Sequence, residues 1–243
     1  MTKSFRLKHI LFGGLLLAGI FCLTRALPAA TTGNDFILDW AADSYVPPAY
    51  QGKTLPVRGS QVTVAAIPTK KLTTSPDKMY FRWLLDGKAQ NYAKGQGQHS
   101  LTFTVKKWPG DYHEVEMQIT SADDKLLDSY LVYVPVVAPE VTLEENGRTA
   151  ATGEMLVSTG QTAKLRALPF FFSTNRPTQD LTFDWFFEEE KLDNPDGTDP
   201  DQLVMAVPQG ELSEVLIRNI RLVVTNKRNA DQQDSINLTV KIR

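Results

Sequence analysis

One pattern occurs twice in this chain, and it decides what the chain can fold into. The first copy is Gly59-Ser60-Gln61-Val62-Thr63-Val64-Ala65-Ala66-Ile67-Pro68, followed by Phe81-Arg82-Trp83. The second, about a hundred residues on, is Gly160-Gln161-Thr162-Ala163-Lys164-Leu165-Arg166-Ala167-Leu168-Pro169, followed by Phe183-Asp184-Trp185. Each copy reads as a turn, a strand of alternating residues, a loop, and a second strand carrying Phe-x-Trp. Strict alternation is the mark of a half-buried strand. A Trp on the third strand of an antiparallel two-sheet sandwich plugs its core, so Trp83 and Trp185 are expected at the centres of two successive sandwiches. A chain of 243 residues suffices for two such domains.

Charge and cysteine narrow the classes. There are 26 basic and 28 acidic residues. Four of the basic ones (Lys3, Arg6, Lys8 and Arg25) fall in the first 30 residues, which hold no acid. The rest of the chain therefore has 22 basic residues against 28 acidic, about −6. Nucleic-acid binding needs a clustered basic face, and this body does not supply one. Cys22, the single cysteine, lies in the N-terminal apolar run, so the body has neither a disulfide nor a thiolate metal site.

Lys3, Arg6 and Lys8 precede an uncharged stretch at 10–23, and Ala26-Leu27-Pro28-Ala29-Ala30 follows. A basic start, a short apolar run and small residues are the parts of an export signal. The run spans only ~21 Å as a helix, short of a bilayer core, whereas Leu27 is large for the −3 position of a cut after Ala29. Two readings stand for residues 1–30: a cleaved signal peptide, or a signal anchor holding the membrane through residues 10–24. Cys22 reads as an apolar helix residue, because Phe21 sits where a lipidation motif has a small residue.

The first domain is placed at residues 31–137. Tyr45-Val46-Pro47-Pro48-Ala49-Tyr50 is an extended stretch in which the prolines forbid ladder bonds. Its two tyrosines either seal the end of the sandwich or form an aromatic contact site. Asp86-Gly87 is a hairpin turn. Residues 91–100 form a Gly-rich flexible stretch, and Gly95-x-Gly97 has no following helix to make it a phosphate loop. Leu101 to Val105 and Val115 to Thr120 alternate as strands, and Trp108-Pro109-Gly110 turns with its Trp exposed.

The second domain is placed at residues 138–243, after a stiff linker Pro135-Val136-Val137-Ala138-Pro139 that stacks the domains end to end. Adjacent rings in Phe170-Phe171-Phe172 would point to opposite faces of an extended segment. They read as partner contacts, or as packing in the interdomain joint or under the following loop. Glu188-Glu189-Glu190 replaces the Asp-Gly turn, and the loop to Gln202 reads as longer than its counterpart. That loop carries Asp193, Asp196, Asp199 and Asp201. Carboxylates on a loop suit Ca²⁺, although no EF-hand spacing is present, and a solvated acidic loop is the alternative. Ile220 to Thr225 and residues 236–242 alternate as strands, and Asn237-Leu238-Thr239 within the latter matches a glycosylation sequon.

No catalytic constellation assembles. His99 and His113 have no zinc-ligand spacing, and no nucleophile motif accompanies them. Neither a catalytic residue nor a cofactor is implied, and the chain reads as a non-enzyme.

The residues Phe81-x-Trp83-x-x-Asp86-Gly87-Lys88 with Val115 to Thr120, and Phe183-x-Trp185 with Ile220 to Thr225, resemble PKD-like and other immunoglobulin-like modules of bacterial surface proteins. Pro47-Pro48-Ala49-Tyr50-Gln51-Gly52-Lys53, Pro139-Glu140-Val141 and Ala167-Leu168-Pro169-Phe170-Phe171-Phe172-Ser173 are similar to exported proteins of small-genome candidate-phylum bacteria. The resemblance implies an all-β fold of two tandem immunoglobulin-like antiparallel β-sandwiches after an N-terminal apolar helix. It implies an exported, non-catalytic envelope or surface protein that contacts an envelope protein or a glycan. The alternatives are a carbohydrate-binding module, with Tyr45, Tyr50, Tyr92 or Trp108 as stacking platforms, and an accessory component of a pilus or secretion machine.

Overall fold

β1 (Phe36–Ala42), β2 (Gln61–Pro68), β3 (Tyr80–Leu85), β4 (Lys88–Ala89), β5 (Gly95–Gln96), β6 (Ser100–Thr104), β7 (Tyr112–Thr120) and β8 (Leu126–Pro135) build the first half of the molecule. The computed structural model of the chain describes residues 35–70, 72–145, 148–149, 153–193, 199–210 and 213–243. Residues 1–30, for which an export signal or anchor is expected, lie outside them. One sheet runs β1-β2-β6, the other β4-β3-β7-β8, with β5 beside β3. The two apolar faces meet over Phe36, Val64, Phe81, Trp83, Met117 and Tyr130, all buried. Alternation does this work: Val62, Val64 and Ala66 face in, while Gln61 and Thr63 face water.

The second half repeats the plan with β9 (Glu140–Glu145), β10 (Arg148–Thr149), β11 (Glu154–Val157), β12 (Thr162–Phe170), β13 (Leu181–Phe187), β14 (Glu190–Lys191), β15 (Gln202–Ala206), β16 (Leu216–Asn226) and β17 (Asn229–Ile242). Its sheets run β10-β9-β12-β15 and β11-β17-β16-β13-β14. Here β11 pairs in parallel with β17, from Glu154↔Thr239 to Val157↔Ile242. The second core gathers Leu143, Leu165, Phe172, Trp185, Leu222 and Val240. Helical structure among the described residues is limited to α1 (Pro177–Asp180) and two 3₁₀ turns. In both halves the first, second and fifth principal strands form one sheet and the hairpin-linked third joins the sixth and seventh in the other. That strand order defines a tandem of immunoglobulin-like β-sandwiches.

The duplication extends to single hydrogen bonds. Trp83 Nε1 donates to the Gln98 carbonyl at 2.8 Å, and Trp185 Nε1 donates to the Pro200 carbonyl at 3.2 Å. Each acceptor lies two residues before the next edge strand, β6 or β15. A buried indole N–H is thus satisfied while its ring fills the core. The Gln90 amide returns to the Trp83 carbonyl, and the Leu192 amide to the Trp185 carbonyl, both at 2.8 Å.

Four sequence expectations change. The loop to Gln202 is not longer than its counterpart, since Trp83 to Ser100 and Trp185 to Gln202 span the same number of residues. The Glu188-Glu189 turn is not a departure either. Asp86 and Gly87 have φ of 50° and 75°, Glu188 and Glu189 have 47° and 68°, and both hairpins close in the same register. Paired positive φ values make both turns type I′. Residues 91–100 are ordered: a 3₁₀ turn at Asn91–Ala93 buries Ala93, and Gln96 pairs with Tyr80. The stretch Pro135 to Val137 belongs to the first sandwich, because Val136 is buried in its core and the Val137 amide donates to the Pro56 carbonyl at 3.0 Å.

Candidate functional site

The two sandwiches meet where the proline stretch of the first crosses the Phe run of the second. The Tyr45 amide donates to the Phe172 carbonyl and the Phe171 amide to the Tyr45 carbonyl, each at 2.6 Å. The Tyr50 ring packs edge-on against Phe170 and Phe171, with centroids at 5.8 and 5.9 Å. Phe172 is fully buried in the second core.

In an extended strand these three rings would alternate. Phe171 instead has φ of 62°, which stops β12 at Phe170. The reversal lets Phe170 and Phe171 share Tyr50 while Phe172 turns inward. A bulky residue in the left-handed region costs ~1–2 kcal/mol, and the paired backbone bonds and ring contacts offset it. Tyr45, Tyr50 and Phe170 to Phe172 are therefore brought together as a joint.

Arg58 ties the other side of that joint. Its carbonyl accepts from Asn229 Nδ2 at 3.1 Å and from Gln232 Nε2 at 2.9 Å, and its guanidinium pairs with Asp231 at 3.0 Å. Gly59 follows at φ 93°, and a Cβ there would collide with the Asn229 amide. The same Arg58 guanidinium lies 3.9 Å from the Trp108 ring centroid. Trp108 is 57% exposed, as its Pro-Gly turn suggested, but Arg58 occupies one face.

Two cavities flank the joint. One, of about 340 Å³, is bounded by Tyr45, Pro47, Pro169, Phe183 and the Arg166–Asp201 pair. Burial pushes the Tyr45 phenol above its ordinary value. The other, of about 430 Å³, is polar. In it the buried Asp180 carboxyl accepts from the Thr174 hydroxyl at 2.7 Å and pairs with Arg176 and Arg228. The Thr174 bond, with the two guanidiniums, outweighs desolvation and holds Asp180 below 3.8.

A third cluster escaped the sequence. His113, which shows no zinc-ligand spacing in the sequence, is buried with Nδ1 at 2.7 Å from Asp86 Oδ2. Asp86 Oδ1 accepts from Lys107 Nζ at 2.6 Å and from the Glu114 amide at 3.1 Å. Burial alone would raise the Asp86 carboxyl, but Lys107, the Glu114 amide and His113 together hold it below 3.8. The available signal was the Asp of the type I′ turn, which sits against the next strand in the register of Leu85↔Val115.

The calcium candidates are not gathered by the described structure. Asp193 and Asp199 are exposed, and Asp199 accepts from Gln202 Nε2 at 3.0 Å, while Asp196 lies outside the described residues. Among the described residues no group of three or more His, Cys, Asp or Glu side chains is placed to hold a metal ion. Nor is any described helix long and apolar enough to cross a membrane.

No protein-family model matches the chain, and no curated protein matches it. Among solved structures it is similar to three N-terminal domains of the bacteriophage RB49 highly immunogenic outer capsid protein. That similarity has 12% identity, 85% of this chain, 59% of that chain and a TM-score of 0.43. It is also similar to fibronectin(III)-like modules of Clostridium thermocellum CbhA, at 14% identity, 85% and 93% coverage and a TM-score of 0.26. A third similarity is to SGBP-B of a Bacteroides ovatus mixed-linkage glucan utilization locus, in complex with a mixed-linkage heptasaccharide. Its values are 15% identity, 84% and 47% coverage and a TM-score of 0.24. The chain spans about three fifths of the capsid protein fragment it matches. The class of fold rests on the strand order and the duplicated Trp geometry.

Proposed function

We propose that the chain is an exported, non-catalytic contact module of a bacterial cell envelope, a PKD-like tandem with its division at residues 137 and 138. Residues 1–30 deliver it, as a cleaved signal or as an anchor. The observation that carries the reading is the joint. Aromatic and proline residues that a free sandwich would leave open are spent on holding two sandwiches together, a construction suited to presenting sheet faces at fixed spacing. The balanced, mildly acidic surface suits an extracytoplasmic body. Treating intact native cells with a membrane-impermeant cross-linker tests it. Adducts between this chain and envelope components are expected; adducts formed only after lysis would sink the proposal.

A second reading, glycan binding, is favoured by one side chain. Of the four platforms, Tyr45 and Tyr50 serve the joint and Trp108 carries Arg58 on one face. Tyr92 remains, 64% exposed.

A further inference from the structure

The edge of the first sandwich between β4 and β6 holds a cavity of about 620 Å³. Its apolar floor is Leu85 and Phe103, and Tyr92, Lys88, Lys106 and Thr104 stand around it. The 3₁₀ turn at Asn91–Ala93 sinks Ala93 into the core and leaves Tyr92 outside. Although exposed, that ring is not free to swing, because its hydroxyl donates to the Thr102 carbonyl at 2.9 Å. A platform already fixed loses little freedom when a ligand lies on it. The ammonium groups of Lys88 and Lys106 make no ion pair among the described residues, whereas Lys107 is held by Asp86. Asp86 accepts from Lys107, His113 and the Glu114 amide, so its charge is already compensated and does not cancel the other two lysines.

We infer that this cavity binds an acidic saccharide, its ring on Tyr92 and its carboxylate between Lys88 and Lys106. The assignment rests on the glycan reading and adds the charge of the ligand. A sugar ring offers an apolar face to the phenol and hydroxyls to Thr104, and its acid group meets two cations that no described residue pairs. A nucleic acid fits less well, since the whole chain carries −2 and a phosphate backbone needs a broad basic face.

The test is calorimetric titration of the full-length chain with a galacturonate hexamer, with an uncharged galactose hexamer and a hexathymidylate as controls. Binding of the galacturonate hexamer alone is expected. The Lys88→Gln/Lys106→Gln double variant and Tyr92→Ala should each weaken it on the order of tenfold. Tyr92→Phe, which keeps the ring but loses its hydrogen bond to the Thr102 carbonyl, should weaken binding less than Tyr92→Ala, and unchanged melting of each variant separates lost binding from lost folding. Equal, Tyr92-dependent binding of the uncharged hexamer would overturn the charge assignment and leave the glycan reading standing. Binding of neither sugar would remove both, and tighter binding of hexathymidylate would mark a general polyanion site and overturn the proposal.

Discussion

Replacing Glu189 by glycine should stabilise the protein although it removes an ion pair. Glu188 and Glu189 occupy a type I′ turn at φ 47° and 68°, where the first sandwich has Asp86 and Gly87 at 50° and 75°. An L-residue in the left-handed region costs ~1–2 kcal/mol, and glycine escapes this. Against that gain stands the Glu189–Arg221 pair at 2.9 Å. The Glu189 side chain is 78% exposed, so the pair is worth at most about 1 kcal/mol. The net gain is about 0–2 kcal/mol. The reverse change isolates the backbone term, because a Cβ at Gly87 meets nothing within 4 Å. Gly87→Ala should therefore cost ~1 kcal/mol with no steric contribution. Urea unfolding followed by the fluorescence of Trp83 and Trp185 reads both changes, as midpoint shifts of opposite sign of a few tenths of a molar. A neutral Gly87→Ala, or a destabilising Glu189→Gly, would refute the claim that the two turns share one strained geometry.

Three further changes probe the joint and the buried polar groups. Tyr50→Ala removes two edge-on contacts to Phe170 and Phe171, and a loss of ~1–3 kcal/mol is expected in urea. A loss below ~0.5 kcal/mol would mean that the aromatic cluster does not hold the joint. Ser44→Ala should be neutral or stabilising by up to ~1 kcal/mol, since the Ser44 hydroxyl is buried without a hydrogen-bond partner among the described residues; thermal melting checks it. Because the folded carboxyl of Asp86 titrates below 3.8, its stabilisation is complete above the unfolded value. It is lost as pH falls through the folded one. Asp86→Asn should flatten the stability–pH curve in that acid window, as urea midpoints between about pH 2 and 5 would reveal.

The parts of the fold that were legible in the sequence are those written in short-range periodicity. Val62 to Ala66, Ala163 to Ala167 and Val115 to Ile119 alternate, and alternation alone assigns their inward faces. Trp83 and Trp185 stand out for the same reason: a large ring at the same place in both copies has one cavity to fill. The joint was readable only as a choice between contact site and seal. Its bridge links Tyr45 to Phe172 across the whole chain, and Phe171 adopts a backbone angle that no Phe favours. The Asp86–His113 contact has the same character, because it depends on the register of β3 against β7. The Glu188-Glu189 turn was hidden because its residues contradict their geometry. Local preference lost there to the pairing of Phe187 with Glu190 and of Phe186 with Lys191.

The measurement closest to the centre of the proposed function is the intact mass of the native protein in separated cytosolic, membrane and external fractions. Expected is a mass beginning near Thr31 outside the cytosol, or a mass that retains residues 1–30 in the membrane fraction. The uncleaved mass found in the cytosol alone would contradict an exported contact module.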